Sequence, residues 1–122
     1  MASLAQVHPL GPVRAAVATS ELLTDAASLA LYSHDVLGCG HQPLAVLRPS
    51  SVDALAAGIG AATAAGIAIV PRGGGMSYTG GYLYQGGPFL LVDTAALDRI
   101  IAIDETDMVA HVEAGVTWDA LH

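Results

Sequence analysis

The sequence predicts a fold that mixes helices with a sheet, built on a strand–helix–strand unit followed by further strands. Three observations predict it. Two short apolar runs, LAVLR (44–48) and IAIVP (67–71), flank a segment of helical periodicity, and the whole has the spacing of a parallel crossover. Three more apolar runs follow: FLLVD (89–93), RIIAID (99–104) and MVAHVEAG (108–115). Between the two sets lies PRGGGMSYTGGY (71–82), rich in glycine and far longer than the two residues a tight turn between strands needs.

Each element has its own justification. Residues 1–18 show no clear period and read as a loose lead-in. Over 20–32 the positions Leu22, Ala26, Leu29 and Ala30 share one helical face. SHDVLGCGHQP (33–43) breaks that pattern and reads as a loop. Pro49 stops the first strand, and Ser50 with Asp53 three residues on resembles a capping box that starts the next helix. Val52, Leu55, Ala56 and Ile59 then fall at i, i+3, i+4 and i+7, and Gly66 is a natural C-terminal stop. Gly58 and Gly60 inside this helix each cost about 1 kcal/mol against alanine, which points to close packing there.

Farther on, DETD (104–107) is a polar turn, so the last two strands should form a hairpin. His111 and Glu113 alternate with Val109 and Val112 and are expected to face solvent. Thr117 is a helix N-cap for WDALH (118–122). An isolated helix shorter than about 12 residues is marginal in water. The expectation is therefore that these residues are the front part of a longer chain.

Composition narrows the function classes. With four arginines, no lysine and eleven acidic residues, the net charge is −7. Nucleic acid and anionic membranes would repel such a surface, because phosphate contacts need clustered positive charge. Cys39 is the single cysteine, so no internal disulfide can form. The first twenty residues lack a basic region and carry Pro9 and Pro12, unlike a signal peptide. No apolar stretch approaches the roughly 18 residues of a membrane span. Together these predict a soluble, cytoplasmic protein.

Glycines that follow a strand permit positive φ and let backbone N–H groups approach a ligand without a Cβ in the way. Such amides, turned toward one point, form an anion site whose usual occupant is phosphate or pyrophosphate. Arg72 adds charge, and Ser77 and Thr79 add hydroxyls. A Walker loop is excluded, since Gly75 and Gly80 have its spacing but Gly81 stands where lysine is required. The dinucleotide fingerprint fits Gly73 and Gly75 but meets Tyr78 at its third glycine, and TGGYLYQGGP cannot open a helix. What remains is an extended loop that cradles pyrophosphate through its backbone, or else an irregular linker.

Other candidates are weaker. His34, Cys39 and His41 lie close together, but a fourth ligand at metal spacing is missing, so no metal is expected. Asp104, Glu105 and Asp107 read as a solvated turn, and Asp93 as a cap for the loop after its strand. Trp118 reads as a core residue of the last helix. Of Tyr78, Tyr82 and Tyr84, two are expected to be packing residues.

From about Tyr32 onward the chain resembles the FAD-binding domain of the vanillyl-alcohol oxidase or PCMH type, and within it the glycolate oxidase and D-lactate dehydrogenase group. The elements come in that family's order: YSHD, PLAVLRPSSVDAL, GIAIVPRGGGMSYTGG, FLLVDTAALDRIIAID and VEAGVTWDAL. The resemblance implies an α+β fold, the N-terminal part of such a domain, in which a β-α-β unit is followed by a small mixed sheet and the C-terminal end is truncated. Residues 1–38 would be a lead-in with a helix, and 39–122 the incomplete FAD-binding domain. The flavin's pyrophosphate would lie on Arg72, Gly73, Gly74, Gly75, Met76, Ser77 and Thr79. Gly80, Gly81 and, in AGV, Gly115 would lie near the cofactor.

Many members of the family attach FAD through a histidine after the loop's glycines. Met76 stands there, and a thioether cannot make that bond, so the cofactor is expected to be non-covalent FAD. The resemblance implies an FAD-dependent oxidoreductase acting on a small substrate, such as a 2-hydroxy acid, bound by a later domain, with oxygen or another electron acceptor. No catalytic residue is assigned. Two rival expectations are a non-catalytic nucleotide- or phosphate-binding domain and an incomplete fragment without activity of its own.

Overall fold

The computed structural model describes residues 8–122. In chain order it contains α1 (Gly11–Ala16), a 3-10 turn (Thr19–Glu21), β1 (Leu22–Leu23), α2 (Ala26–Tyr32), β2 (Ala45–Leu47) and α3 (Val52–Ala64). After these come β3 (Ala68–Arg72), β4 (Phe89–Asp93), β5 (Ile100–Asp104), β6 (Val109–Val112) and α4 (Trp118–Leu121). The α+β expectation holds: one mixed four-stranded sheet carries the helices, and a separate antiparallel hairpin follows.

The sheet runs β1-β2-β4-β3. β2 and β3 are both parallel to β4, which lies between them, while β1 pairs antiparallel with β2. The strand–helix–strand unit therefore crosses over one vacant position, and the later strand fills it. This explains the long glycine loop. The β3–β4 connection joins two parallel neighbours, which no tight turn can do. Here residues 73–88 make the crossover without a helix.

Period-two alternation sends β-strand side chains to two covered faces. Ala45, Leu47, Leu90 and Val92 pack with Leu10, Val13 and Ala62 beneath α1 and α3. Val46, Leu91, Phe89 and Val70 pack with Tyr82, against which Leu29, Tyr32, Leu83 and Tyr84 close. The second half of the glycine loop thus serves as a lid on the sheet. Tyr82 and Tyr84 are the two packing tyrosines, and Tyr84 meets Phe89 edge-on at 5.1 Å. Tyr78 is exposed.

Several local expectations need correction. Part of the lead-in, 1–7, lies outside the described residues. The rest is not loose, because Leu10 and Val13 of the α1 region are fully buried. The helix expected over 20–32 begins only at Ala26, where Asp25 accepts from the amide of Ser28 at 2.9 Å. Leu22 belongs instead to β1, pulled into the sheet by its pairing with Leu47. The cap of α3 is Ser51, not Ser50, whose hydroxyl and amide are bound by Glu21. The buried face of α3 is centred on Gly58 and Ala62, leaving Val52 and Ala56 exposed. Close packing holds for Gly58, where a Cβ would collide with Leu47, but not for Gly60, where it would meet nothing.

In the hairpin, Asp104 caps its turn by accepting from the amides of Thr106 and Asp107 at 2.9 and 3.0 Å. His111 is exposed as expected. Glu113 is not: it folds onto Arg99, accepting from its amide and guanidinium at 2.7–3.0 Å. The Arg99 hydrogen bonds hold its carboxyl below the ordinary value. Thr117 caps α4 through its hydroxyl, but Trp118 is exposed and is not a core residue. Among the described residues, no helix is long and apolar enough to cross a membrane.

Candidate functional site

The parallel strands end together, and their carboxyl ends carry Arg48 just beyond β2, Arg72 closing β3 and Asp93 closing β4. Crevices at this end of parallel strands are where open sheets of this kind bind ligands. The glycine loop leaves from the same edge. Arg72, Gly73, Gly74, Ala95, Asp98, Gly115, Thr117 and Ala120 line a cavity of about 280 Å³ there. Four of the residues singled out by sequence (Arg72, Gly73, Gly74 and Gly115) are thereby brought together.

The first part of the loop is open backbone. Among the described residues, no protein acceptor takes the amides of residues 73–79. A Cβ placed on Gly73 or Gly74 would meet no protein atom. Free donors beside vacant space are the arrangement an anion requires. Gly75 is different: its φ is +77°, and a Cβ would run into the guanidinium of Arg72. Its carbonyl accepts from the Tyr82 hydroxyl at 3.0 Å, tying the loop to the sheet's lid.

Beyond Gly75 the loop turns back on itself. The Ser77 hydroxyl accepts from the amide of Gly81 at 3.1 Å, and Gly80 sits at φ +68°. Met76 and Thr79 are exposed and line none of the cavity. Asp35 lies near Gly80 and Ser77, and its Oδ1 accepts from the amides of Leu37 and Gly38 at 2.7 and 2.9 Å. Burial opposes ionisation of Asp35, but the amides of Gly38, Leu37 and Gly80 and the Ser77 side chain together hold the carboxyl below its ordinary value. Gly115 has a structural reason to be glycine, since its Cβ would strike the carbonyls of Thr94 and Leu97. Its amide donates to Leu97 at 2.7 Å, which seats the end of the hairpin against the cavity wall.

Sequence reasoning missed the group behind the loop. Asp93 does cap its loop, accepting from the amide of Ala95 at 3.0 Å, but it does much more. Its side chain is 2% exposed, and its Oδ2 lies 3.5 Å from Arg48 Nε and 3.7 Å from Arg72 Nη1. The Tyr32 hydroxyl donates to the same oxygen at 2.5 Å. Burial, and next that hydrogen bond, keep the Tyr32 phenol above its ordinary value, so it remains the donor. The guanidinium of Arg72 lies 5.0 Å from the Tyr32 ring and 5.2 Å from the Tyr82 ring, between two aromatic faces. An acidic residue at the end of an apolar strand was the only available signal, and it does not reveal its partners.

The histidines of the 33–43 loop are engaged elsewhere. His34 Nδ1 donates to the carbonyl of Ala30 at 2.8 Å, and His41 Nδ1 to that of Gly86 at 3.2 Å. Among the described residues, no group of three or more His, Cys, Asp or Glu is placed to hold a metal. A larger cleft of about 530 Å³ is lined by Arg48, Glu21 and Ser50 among others. The glycine loop does not reach it, and the Glu21 carboxylate there is committed to Ser50.

The mixed sheet and its glycine crossover present free amides, suited to an anion, at the carboxyl ends of the parallel strands. The sequence matches the FAD-binding domain family over residues 43–122, and the chain belongs to that family, whose cofactor is FAD. It is 31% identical over 108 residues to a D-2-hydroxyglutarate dehydrogenase of Xanthomonas citri pv. viticola, covering 88% of this chain and 23% of the relative. Its fold is similar to an alkyldihydroxyacetonephosphate synthase (TM-score 0.78, 17% identity, 89% of this chain and 24% of that one). It is also similar to p-cresol methylhydroxylase (TM-score 0.69, 21% identity, 93% of this chain and 23% of that one). The chain therefore spans about a quarter of the length of the proteins it matches.

Proposed function

We propose that the glycine loop holds the pyrophosphate of FAD, without a covalent bond, in a flavin-dependent oxidoreductase acting on a small hydroxy acid. The observation that carries this reading is the run of unpartnered amides at residues 73–79 beside the open faces of Gly73 and Gly74. Arg72, Gly73, Gly74, Gly75, Met76, Ser77 and Thr79 would supply the cradle, with Gly80, Gly81 and Gly115 close to the cofactor. Backbone donors of this kind stabilise an anion with fixed dipoles and need no lysine, which this chain lacks.

Bound FAD supplies the hydride-accepting chemistry; the protein contributes orientation and electrostatics. This chain's residues bind and orient the anionic end, while Tyr82, Leu83 and Tyr84 keep water from the sheet beneath. The hydroxy-acid substrate rests on the D-2-hydroxyglutarate dehydrogenase relative, and its binding groups are assigned to a part of the protein outside this chain. The FAD-binding unit is assigned to residues 39–122, with 1–38 as a lead-in whose described part adds β1 to the sheet, Leu10 and Val13 to the core and Tyr32 to the Asp93 group. The lone, exposed Cys39 fits a reducing, cytoplasmic compartment.

Gly74→Val gives the test, because a Cβ there meets no protein atom and the side chain would enter the space proposed for the cofactor. The variant of the full-length protein should fold normally and purify without the visible flavin band that the wild type shows. A normal band in the variant would move the site elsewhere. Acid precipitation of the wild type should release the colour into the supernatant; a coloured pellet would refute the non-covalent cofactor inferred from Met76.

A further inference from the structure

We propose that Asp93 is a positioning residue for the cofactor cradle, acting through Arg72 rather than by touching the cofactor. This rests on the FAD reading above. Asp93 is buried, while the loop amides are open, so the carboxylate stands behind the site and not in it. Both arginines reach one of its oxygens, at 3.5 and 3.7 Å. Without the carboxylate, two like charges would face each other with nothing between them.

What Asp93 fixes is the place of the Arg72 guanidinium. That group is clamped between the Tyr32 and Tyr82 rings, directly where a Cβ on Gly75 would be. Tyr82 in turn holds the Gly75 carbonyl, and Tyr32 holds Asp93. The loop, the arginine and the carboxylate therefore form one connected unit. Arg72 Nε is buried and has no partner among the described residues, so the guanidinium is held by its ring contacts and the Asp93 charge, not by a hydrogen bond from Nε. Two guanidiniums against one carboxylate also leave this spot net positive in a chain of net charge −7. A purely electrostatic view would make Asp93 a hindrance to an anion. The geometry makes it the residue that keeps the positive charge aimed.

The two views predict opposite results for Asp93→Asn, which preserves shape and removes charge. The full-length apoprotein would be titrated with FAD and, separately, with riboflavin, which lacks the pyrophosphate. The expected result is roughly tenfold weaker FAD binding, equivalent to about 1.4 kcal/mol, with riboflavin binding changed less than about twofold. General damage to the core would weaken both ligands alike, and that outcome overturns the proposal, as does FAD binding that is unchanged or tighter. In an Arg72→Gln background, Asp93→Asn should cause no further loss, because the carboxylate acts through that side chain. An additive loss would also overturn it. If Asp93→Asn does not fold, Asp93→Glu, which keeps the charge but displaces it, decides: a fall in the FAD-to-riboflavin affinity ratio supports the positioning role, and an unchanged ratio overturns it. A wild type that binds no FAD would instead refute the underlying cofactor reading, a result separable from all of these.

Discussion

β4 and β5 are strands of five residues each, FLLVD and IIAID, with nearly the same apolar content. Every residue of β4 is buried, and every residue of β5 is exposed. The difference lies in neighbours. β4 is inserted between two parallel strands with helices on one face and the loop's tyrosines on the other. β5 pairs only with β6, and Ile101 and Ile103 remain 65% and 62% exposed. An apolar run specifies a strand; topology decides whether that strand is covered.

The largest expected effect breaks this contrast directly. Leu91→Ala, at a side chain 0% exposed, should cost about 2–5 kcal/mol in urea unfolding, whereas Ile101→Ala should stay within about 0.5 kcal/mol. Comparable losses at the two positions would mean that the hairpin is as well packed as the sheet. Next comes Gly115→Ala, at the contact between the hairpin's end and the loop after β4. The added methyl must displace the Thr94 and Leu97 carbonyls, so a loss of about 1–3 kcal/mol is expected. A silent substitution would show that this joint yields freely.

Gly58→Ala should be milder, because the gain of about 1 kcal/mol in helix propensity offsets part of the clash with Leu47. Differential scanning calorimetry showing a clear rise in Tm would mean that Leu47 has room to move. The smallest effect concerns Glu21, whose hydrogen bonds from the Ser50 hydroxyl and amide hold its carboxyl below 4.5. A depressed carboxyl stabilises the fold above its unfolded value and loses that contribution as pH falls through the folded one. Glu21→Gln should therefore flatten the acid limb of the stability profile below about pH 4.5 and leave its shape near neutrality unchanged. An unchanged acid limb would assign acid sensitivity to other carboxylates.

The elements that sequence revealed well were those with a strong local signal. The presence of α3, though not its buried face, the polar turn DETD and the Thr117 cap are all written in neighbouring residues. α1 was invisible because its short GPVRAA has no repeat, and its burial comes from contact with distant strands. The order of the sheet could not be read either, since nothing local shows that β4 enters between β2 and β3. The glycine loop of the site was legible because glycine declares backbone exposure. The Asp93 group was not, since its partner Tyr32 lies 61 residues away in sequence.

The placement of β4 also bears on the order in which this chain is made. It is the last of the four sheet strands to be synthesised, yet it occupies an interior place among them. Until residue 93 is available, β2 and β3 each present an unpaired edge of backbone donors and acceptors, the template on which foreign strands pair. Sheet closure must therefore wait for a contact that is distant in sequence, which is intrinsically slow. A nascent chain halted within the glycine loop would hold both edges and lack the strand that joins them.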